Sequence, residues 1–253
     1  MLLLLLTACA ATAPEDIEDM LVYGFVHQPD ERDNTMVSLS KNLIPWLEDH
    51  FDEATEGYGI NRRTAEDLED AGVDAEIDGD GIVGAVTGID YAVSIDELAW
   101  GLTYADQSEV FSKYLEYEGV DIGDRDCFLS RECDRMSITE TIHADLGVLG
   151  VESFFTNTFE IRWVDLGDER WAFATRTLGP EPVEFTVDWL KVYQQYAFTF
   201  GYPREDGTVR RAQAVWAESE IVGADVPEDF QINTAISTMQ SAAAEMEAFL
   251  QAR

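Results

Sequence analysis

The sequence predicts an α+β fold, in which a curved antiparallel sheet wraps around a long C-terminal helix. From Ser153 onward, apolar and polar residues alternate along several long stretches, the period-two pattern of half-buried strands. The last stretch, from Val226 to Arg253, instead repeats apolar residues at helical spacing. Shorter amphipathic stretches within residues 20–72 predict helices ahead of the strands. Together these patterns predict a helical extension followed by one α+β domain.

The first nine residues predict an export signal rather than part of the fold. A leucine run too short to span a bilayer ends in Leu6-Thr-Ala-Cys9. These last four residues resemble the bacterial lipobox, where signal peptidase II cuts and Cys9 is lipidated. The resemblance implies a lipid-anchored protein of the bacterial cell envelope, and Ala10, rather than Asp, implies the outer membrane or cell surface. No basic residue precedes the run, which departs from the usual signal pattern and leaves the translation start open. A chance cysteine is the alternative.

Three further segments follow this signal. Residues 10–19 are acidic and predict a tether. Residues 20–72 predict the helical extension, because Ser38 to Phe51 is amphipathic, with Pro45 either starting or kinking its helix. Residues 73–253 are expected to form the α+β domain.

A strong turn signal at Asp78-Gly-Asp-Gly81 separates two predicted strands. Its glycine spacing matches the dinucleotide fingerprint, but a strand-like stretch follows and the two aspartates would repel a pyrophosphate. The run from Glu76 to Gly81 also resembles the front of an EF-hand loop, although Thr87 stands where the bidentate glutamate belongs. A plain acidic turn is therefore favoured over adventitious Ca²⁺, and we expect no metal site.

The middle of the chain predicts two helices and a small closed loop. Ser94-Ile-Asp-Glu97 is a capping box that opens a helix, and a second helix is predicted over Ser108 to Tyr117. In an exported protein, Cys127 and Cys133 are expected to form a disulfide that restrains a charged loop. A metal or redox pair is the less favoured alternative, because the two cysteines are not closely spaced.

The strands and the last helix supply the candidate ligand site. Alternation predicts strands through residues 153–163 and 185–200, with a β-bulge where the phase slips at Gln194-Gln195. At about 1.5 Å per residue, the last helix is roughly 40 Å long, so its apolar stripe needs a large apolar surface. Inward residues of both could line a cavity: Phe159, Trp163, Phe173, Trp189, Tyr193, Ile236, Met239 and Met246. The alternative is a filled core made of the same residues.

This element order resembles the START-like helix-grip superfamily, which includes polyketide cyclase-related and lipid-transfer proteins. The resemblance covers about residues 82–253 and includes the ending Val215-Trp-Ala-Glu, which leads through Pro227 into the last helix. It implies an apolar cavity between sheet and helix that holds a lipid-like or aromatic molecule. The helical extension and the cysteine loop depart from that pattern.

Composition and motifs narrow the function further. The 51 acidic and 16 basic residues give a net charge of −35, which disfavours nucleic acid and anionic membrane surfaces as partners. There is no G-x-S-x-G or H-E-x-x-H motif, so the sequence favours a binding protein without a cofactor over an enzyme. The leading hypothesis is a lipid-anchored carrier of an apolar small molecule. An interaction lipoprotein with a filled core is the alternative, and a cyclase or isomerase using His143 or a Tyr is a weaker one.

Overall fold

The computed structural model describes residues 12–31, 33–74, 76–77, 81–147 and 150–253. The helices are α1 (Ile17–His27), α2 (Asn34–Asp49), α3 (Phe51–Glu56), α4 (Ala65–Asp70), α5 (Ile95–Leu102), α6 (Arg125–Leu129) and α7 (Glu228–Gln251). The strands are β1 (Tyr58–Arg63), β2 (Ile82–Tyr91), β3 (Tyr114–Ile122), β4 (Arg135–Asp145), β5 (Glu152–Gly167), β6 (Arg170–Gly179), β7 (Glu184–Phe185), β8 (Leu190–Pro203) and β9 (Val209–Ile221).

These strands form one curved antiparallel sheet in the order β1-β2-β9-β8-β6-β5-β4-β3, with the short β7 paired to β5. Most neighbours in the sheet are also neighbours in sequence. The pairing most distant in sequence joins β2 to β9, where Val83 lies opposite Ala217 and Tyr91 lies opposite Val209. This long-range pairing brings the N-terminal strands beside the strand that leads into α7. The predicted fold class is therefore confirmed.

The N-terminal helices cover one face of the sheet. Helices α1 and α2 pack on β8 and β9 side chains in the largest apolar cluster, which includes the fully buried Phe198, Phe200 and Trp216. Gly24 of α1 lies so close to Phe198 that a Cβ there would stand 2.2 Å from the ring. Close packing of this kind makes the N-terminal helices an integral layer of the core.

The C-terminal helix lies on the opposite face. Ile236 and Met239 of α7 pack on Ala85 of β2. Farther along, Met246 joins a separate cluster with Leu98 of α5 and with strand residues. The stripe predicted from sequence thus faces the sheet, and the helix begins at Glu228, directly after Pro227.

Several local predictions are confirmed. Ser94 and Glu97 form the capping box of α5. The ladder between β8 and β9 shifts register between Val192 and Gln194, where the sequence predicted a bulge. Cys127 and Cys133 form a disulfide with Cα atoms 5.2 Å apart.

Other predictions need correction or lie elsewhere. The helix predicted over residues 108–117 is wrong: a short 3₁₀ turn, Gln107–Glu109, precedes strand β3 there, because this segment pairs with β4 at the sheet edge. The helical extension also contains strand β1, which pairs with β2. The predicted lipobox with Cys9, and residues 78–80 of the acidic turn, lie outside the described residues.

Candidate ligand cleft between the sheet and the C-terminal helix

Helix α7 approaches the sheet most closely along β1 and β2. Two glycines permit this approach. A Cβ at Gly59 would lie 2.5 Å from Ile232 Cδ1, and one at Gly57, whose φ is +75°, would lie 2.7 Å from Ile236 Cγ2. Because the helix follows this edge, its N-terminal half stands beside β9 and β8 without filling the space above them.

That space is a cleft of about 280 Å³. This volume is near the lower end of the range for small-molecule sites, which starts at roughly 300 Å³. The sheet side and the helix side both contribute aliphatic residues, chiefly Val83, Leu190, Val215, Ile221, Ile232 and Ala235. Among the described residues, no charged side chain lines it, in a chain that is 26% charged. The cleft therefore favours an apolar guest.

The outer lip of the cleft is also apolar. Phe230, in the first turn of α7, lines the cleft and is 59% exposed. Val222, just beyond β9, is 45% exposed. Exposed apolar residues that border an apolar recess are typical of a ligand entrance. The entrance is therefore expected between the end of β9 and the start of α7.

One cross-strand row connects the cleft with the polar part of the same face. Val83, Ala217 and Gln195 are register partners on adjacent strands, and all three line the cleft. Gln195 Nε2 then donates a 3.2 Å hydrogen bond to Asn157 Oδ1. Gly179 makes room for this hydrogen bond, because a Cβ at that position would stand 2.5 Å from Asn157 Oδ1. The inner end of the cleft thus offers amide groups.

The row continues to a carboxylate that the sequence analysis did not identify. Glu140 lies opposite Asn157, and its Oε1 accepts a 3.0 Å hydrogen bond from the Tyr117 hydroxyl. Burial raises the pKa of Glu140 to about 7, although the bond from Tyr117 opposes this rise. Burial, followed by the Glu140 charge, raises the pKa of the Tyr117 hydroxyl. The partly buried Glu140 carboxyl thus has a pKa raised toward neutrality.

A sequence signal for Glu140 existed. It occupies an inward position of the alternating series Met136, Ile138, Glu140, Ile142, in which the three remaining members are all apolar and buried. A carboxylate in the apolar phase of a strand is uncommon, because burying its charge is costly. The abundance of acidic residues elsewhere in the chain concealed it.

The eight residues predicted to line a cavity are divided among three places. Trp163, Phe173 and Met246 are packed with α5 and α6, and Phe159 borders the same cluster. Trp163 stacks on Phe128 with ring centroids 5.3 Å apart, and its indole N–H donates to the Phe128 carbonyl. This end of the space between sheet and helix is filled.

The remaining predicted residues lie elsewhere. Ile236 and Met239 pack on Ala85 near the cleft but are not among its lining residues. Trp189 and Tyr193 are 42% and 36% exposed. Trp189 precedes the first residue of β8, and Tyr193 lies within the bulge, which explains why alternation placed them inward.

The histidines do not converge. His27 contacts Asp30 at 3.0 Å, His50 contacts the Trp46 carbonyl, and His143 contacts Glu152 at 2.9 Å. Among the residues that the structure describes, no three His, Cys, Asp or Glu side chains gather as metal ligands would. In that same part of the chain, no helix combines the length and apolar character needed to cross a bilayer.

Comparison with known proteins gives likeness of fold only. No model of a protein family matches the chain, and no curated protein matches it. A START superfamily protein from Mycobacterium smegmatis resembles it with a TM-score of 0.43 and 8% identity, over 68% of this chain and 98% of that one. Ara h 8.0201 has a TM-score of 0.42 and 11% identity, over 68% of this chain and 100% of that one.

The lipid transfer and protein localization domain of human StarD13 (DLC2) is a further neighbour. Its TM-score is 0.46 and its identity 7%, over 82% of this chain and 95% of that domain. Likeness at this level assigns no ligand or activity to the chain.

Proposed function

We propose that this protein is an exported, lipid-anchored binding protein that holds an apolar small molecule between its sheet and its C-terminal helix. The observation that carries the binding role is the cleft of about 280 Å³ with its uncharged, mainly aliphatic lining. Export and anchoring rest on the residues from Leu6 to Cys9, read as a lipobox.

The chemistry of the lining supports an apolar guest. Transfer of apolar surface from water into the cleft contributes about 25 cal/mol per Å², and few polar groups need to be desolvated in exchange. Gln195 and Ser219 are polar fixtures on the sheet side, and Gln231 and Thr234 are those on the helix side. A mainly hydrocarbon or aromatic molecule with few polar groups fits this distribution.

Native mass spectrometry of protein extracted under gentle conditions tests the binding role. We expect wild-type protein to carry a co-purifying lipophilic molecule. Ala235→Trp, which fills the cleft from α7, should remove that adduct. The matched control is Ala244→Trp, on an exposed position of the same helix, which should retain it. Wild-type protein without any adduct, which also takes up no added hydrophobic probe, would exclude the carrier function.

The second candidate is an interaction lipoprotein with a filled core. The packing of Trp163, Phe173 and Met246 against α5 and α6 favours it, because those residues leave their end of the interior closed. Under this alternative, Ala235→Trp and Ala244→Trp should behave alike in every binding assay. The same pair of variants therefore separates the two functions.

The anchor is tested separately by cell fractionation. Cys9→Ser should move the protein from the membrane to the soluble fraction, since it removes the proposed acyl-bearing thiol. Cys133→Ser is the control, because it removes a sulfur that belongs to the disulfide and not to the lipobox. A Cys9→Ser protein that still pellets with membranes would exclude the lipid anchor, whatever the cleft holds.

A further inference from the structure

A buried cation lies on the same sheet face as the cleft. Arg211 of β9 is 6% exposed, and its guanidinium stands 4.8 Å from the centroid of the Tyr91 ring. Its Nη2 donates a 2.6 Å hydrogen bond to Gln213 Oε1. Within the described residues, Arg211 Nε and the Tyr91 hydroxyl have no hydrogen-bond partner. The site therefore holds a positive charge with unused donors.

No carboxylate of the described chain neutralises this charge. The groups that face Arg211 are Tyr91 and Gln213, and burial raises the pKa of the Tyr91 hydroxyl, which keeps it neutral. Glu247 of α7 acts on Tyr91 and accepts a 2.6 Å bond from the Ala92 amide. Among the other buried arginines of the described chain, Arg162, Arg176 and Arg210 form close ion pairs with Asp33, Glu160 and Asp90. Arg63 lies 4.0 Å from Asp67, and within the same residues its guanidinium has no hydrogen-bond partner and lies over the Phe25 and Trp216 rings.

An unpaired buried guanidinium is unfavourable, since its hydration is lost and no opposite charge replaces it. Burial accordingly lowers the pKa of Arg211. A guanidinium has five N–H donors in a fixed planar arrangement that matches the two oxygens of a carboxylate. The missing partner is therefore best supplied by a bound anion.

The position of Arg211 connects it to the cleft. Arg211, Gln213 and Val215 alternate along β9 on one face, and Val215 lines the cleft. Arg211 and Val215 are four positions apart along the strand, which is roughly 13 Å. At the level of Gln213 the interior is polar, because Thr87 lies opposite and accepts a 3.3 Å bond from Gln240 of α7. Along this face the strand is charged at Arg211, polar at Gln213 and apolar at Val215. A ligand with a polar head at Arg211 and an apolar tail toward Val215 matches that order.

We propose that the ligand is an amphipathic carboxylate, whose head pairs with Arg211 beside Gln213 and whose apolar chain follows β9 into the cleft. This inference rests on the proposed function, because it names the ligand class of that same cleft. A singly charged carboxylate is favoured over a phosphate, because Arg211 supplies one positive charge and the chain as a whole carries −35.

Isothermal titration with decanoate and 1-decanol tests the head group at equal chain length. Wild-type protein should bind decanoate at least about tenfold more tightly than decanol. Arg211→Met should lose this preference and keep its affinity for decanol. Lys191→Met is the control for nonspecific attraction, because Lys191 is an exposed cation of the neighbouring strand β8, and it should keep the preference.

A second measurement uses only wild-type protein and so does not depend on a variant folding. The ¹³C signal of carboxyl-labelled decanoate should show a bound carboxyl that stays ionised at lower pH than the free acid, because a buried guanidinium stabilises the anion. Equal affinity for decanoate and decanol, or a bound carboxyl that protonates like the free acid, would overturn the anionic head and leave the apolar carrier intact. Failure to bind either probe would overturn both proposals.

Discussion

The two faces of the sheet are built on different principles. Toward the N-terminal helices, Phe198, Phe200 and Trp216 are fully buried, and the inward Arg210 pairs with Asp90 at 2.8 Å. Toward the C-terminal helix, aliphatic residues line an open cleft, and within the described residues no carboxylate pairs with the inward Arg211. The first face is filled along its length with apolar side chains, whereas the second is filled only at its α5 and α6 end and is open beside β9 and β8.

This difference indicates that the packed face contributes most to stability and that the face with the cleft is the one suited to binding. A closely packed face loses stability when any large side chain is removed, since the surrounding atoms relax only partly. A face with an open cleft contributes less to folding and is free to exchange partners. Adjacent residues of one strand, such as Arg210 and Arg211, therefore have opposite roles because they project to opposite faces.

The largest expected effect lies in the packed face. Phe198→Ala should lower the free energy of unfolding by about 3–5 kcal/mol, because it opens a cavity against Gly24 and its neighbours. Urea denaturation monitored by tryptophan fluorescence measures the change. A loss below about 1 kcal/mol would mean that the N-terminal helices are a loose extension, and it would remove the contrast between the faces.

The two adjacent arginines give the sharpest comparison. Arg210→Met should lower stability by about 2–3 kcal/mol, because it removes the nearest cation from Asp90 and from Glu48 and leaves Asp90 only the 3.6 Å contact with Arg204. Arg211→Met should leave the stability of ligand-free protein unchanged or higher, because it removes a buried charge that no carboxylate of the described residues neutralises. Thermal unfolding of delipidated proteins measures both. Equal losses would show that Arg211 has a structural role like that of Arg210.

Titration of Glu140 gives a pH-dependent test. Its pKa is about 7 in the folded protein against an ordinary value of 4.5, so between these values the folded state binds more protons. Its contribution therefore becomes less favourable as pH rises from about 4.5 to 7, and the cost persists above 7. Glu140→Gln should stabilise the protein by about 1–2 kcal/mol at pH 8 and have little effect at pH 4.5.

The control for this titration is Glu118→Gln, an exposed glutamate on the neighbouring strand β3. It should change stability little at either pH. If Glu140→Gln gave the same change at pH 4.5 and pH 8, the carboxyl would have no unusual titration, and the inner end of the cleft would be wetter than its burial indicates.

The smallest expected effect lies in the cleft itself. Val215→Ala should lower stability by less than about 1 kcal/mol, because this half-buried side chain borders open space. Val86→Ala, on the packed face of β2, should cost about 2 kcal/mol, because Val86 is 2% exposed. Chemical denaturation of the pair measures the ratio, and similar losses would indicate that the cleft is closed in solution.

Sequence periodicity by itself determined which side chains share a face. Alternation identified β5 and the bulge in β8, helical spacing identified α7, and the Ser94-to-Glu97 motif identified the start of α5, because these patterns depend on neighbours within a few residues. The disulfide was also predictable, because only two cysteines remained after the N-terminal one.

The tertiary structure alone decided which inward residues meet. Pairing of β2 with β9 placed α7 along one edge, which left Trp163 and Phe173 in a filled core and opened the cleft beside Val215 and Ile232. Periodicity specifies a face but carries no information on the partner across a strand or on how far a helix extends over a sheet. The surroundings of Arg211 also depend on tertiary structure. Whether a carboxylate of the described residues lies beside its guanidinium is decided only when every neighbouring segment has packed.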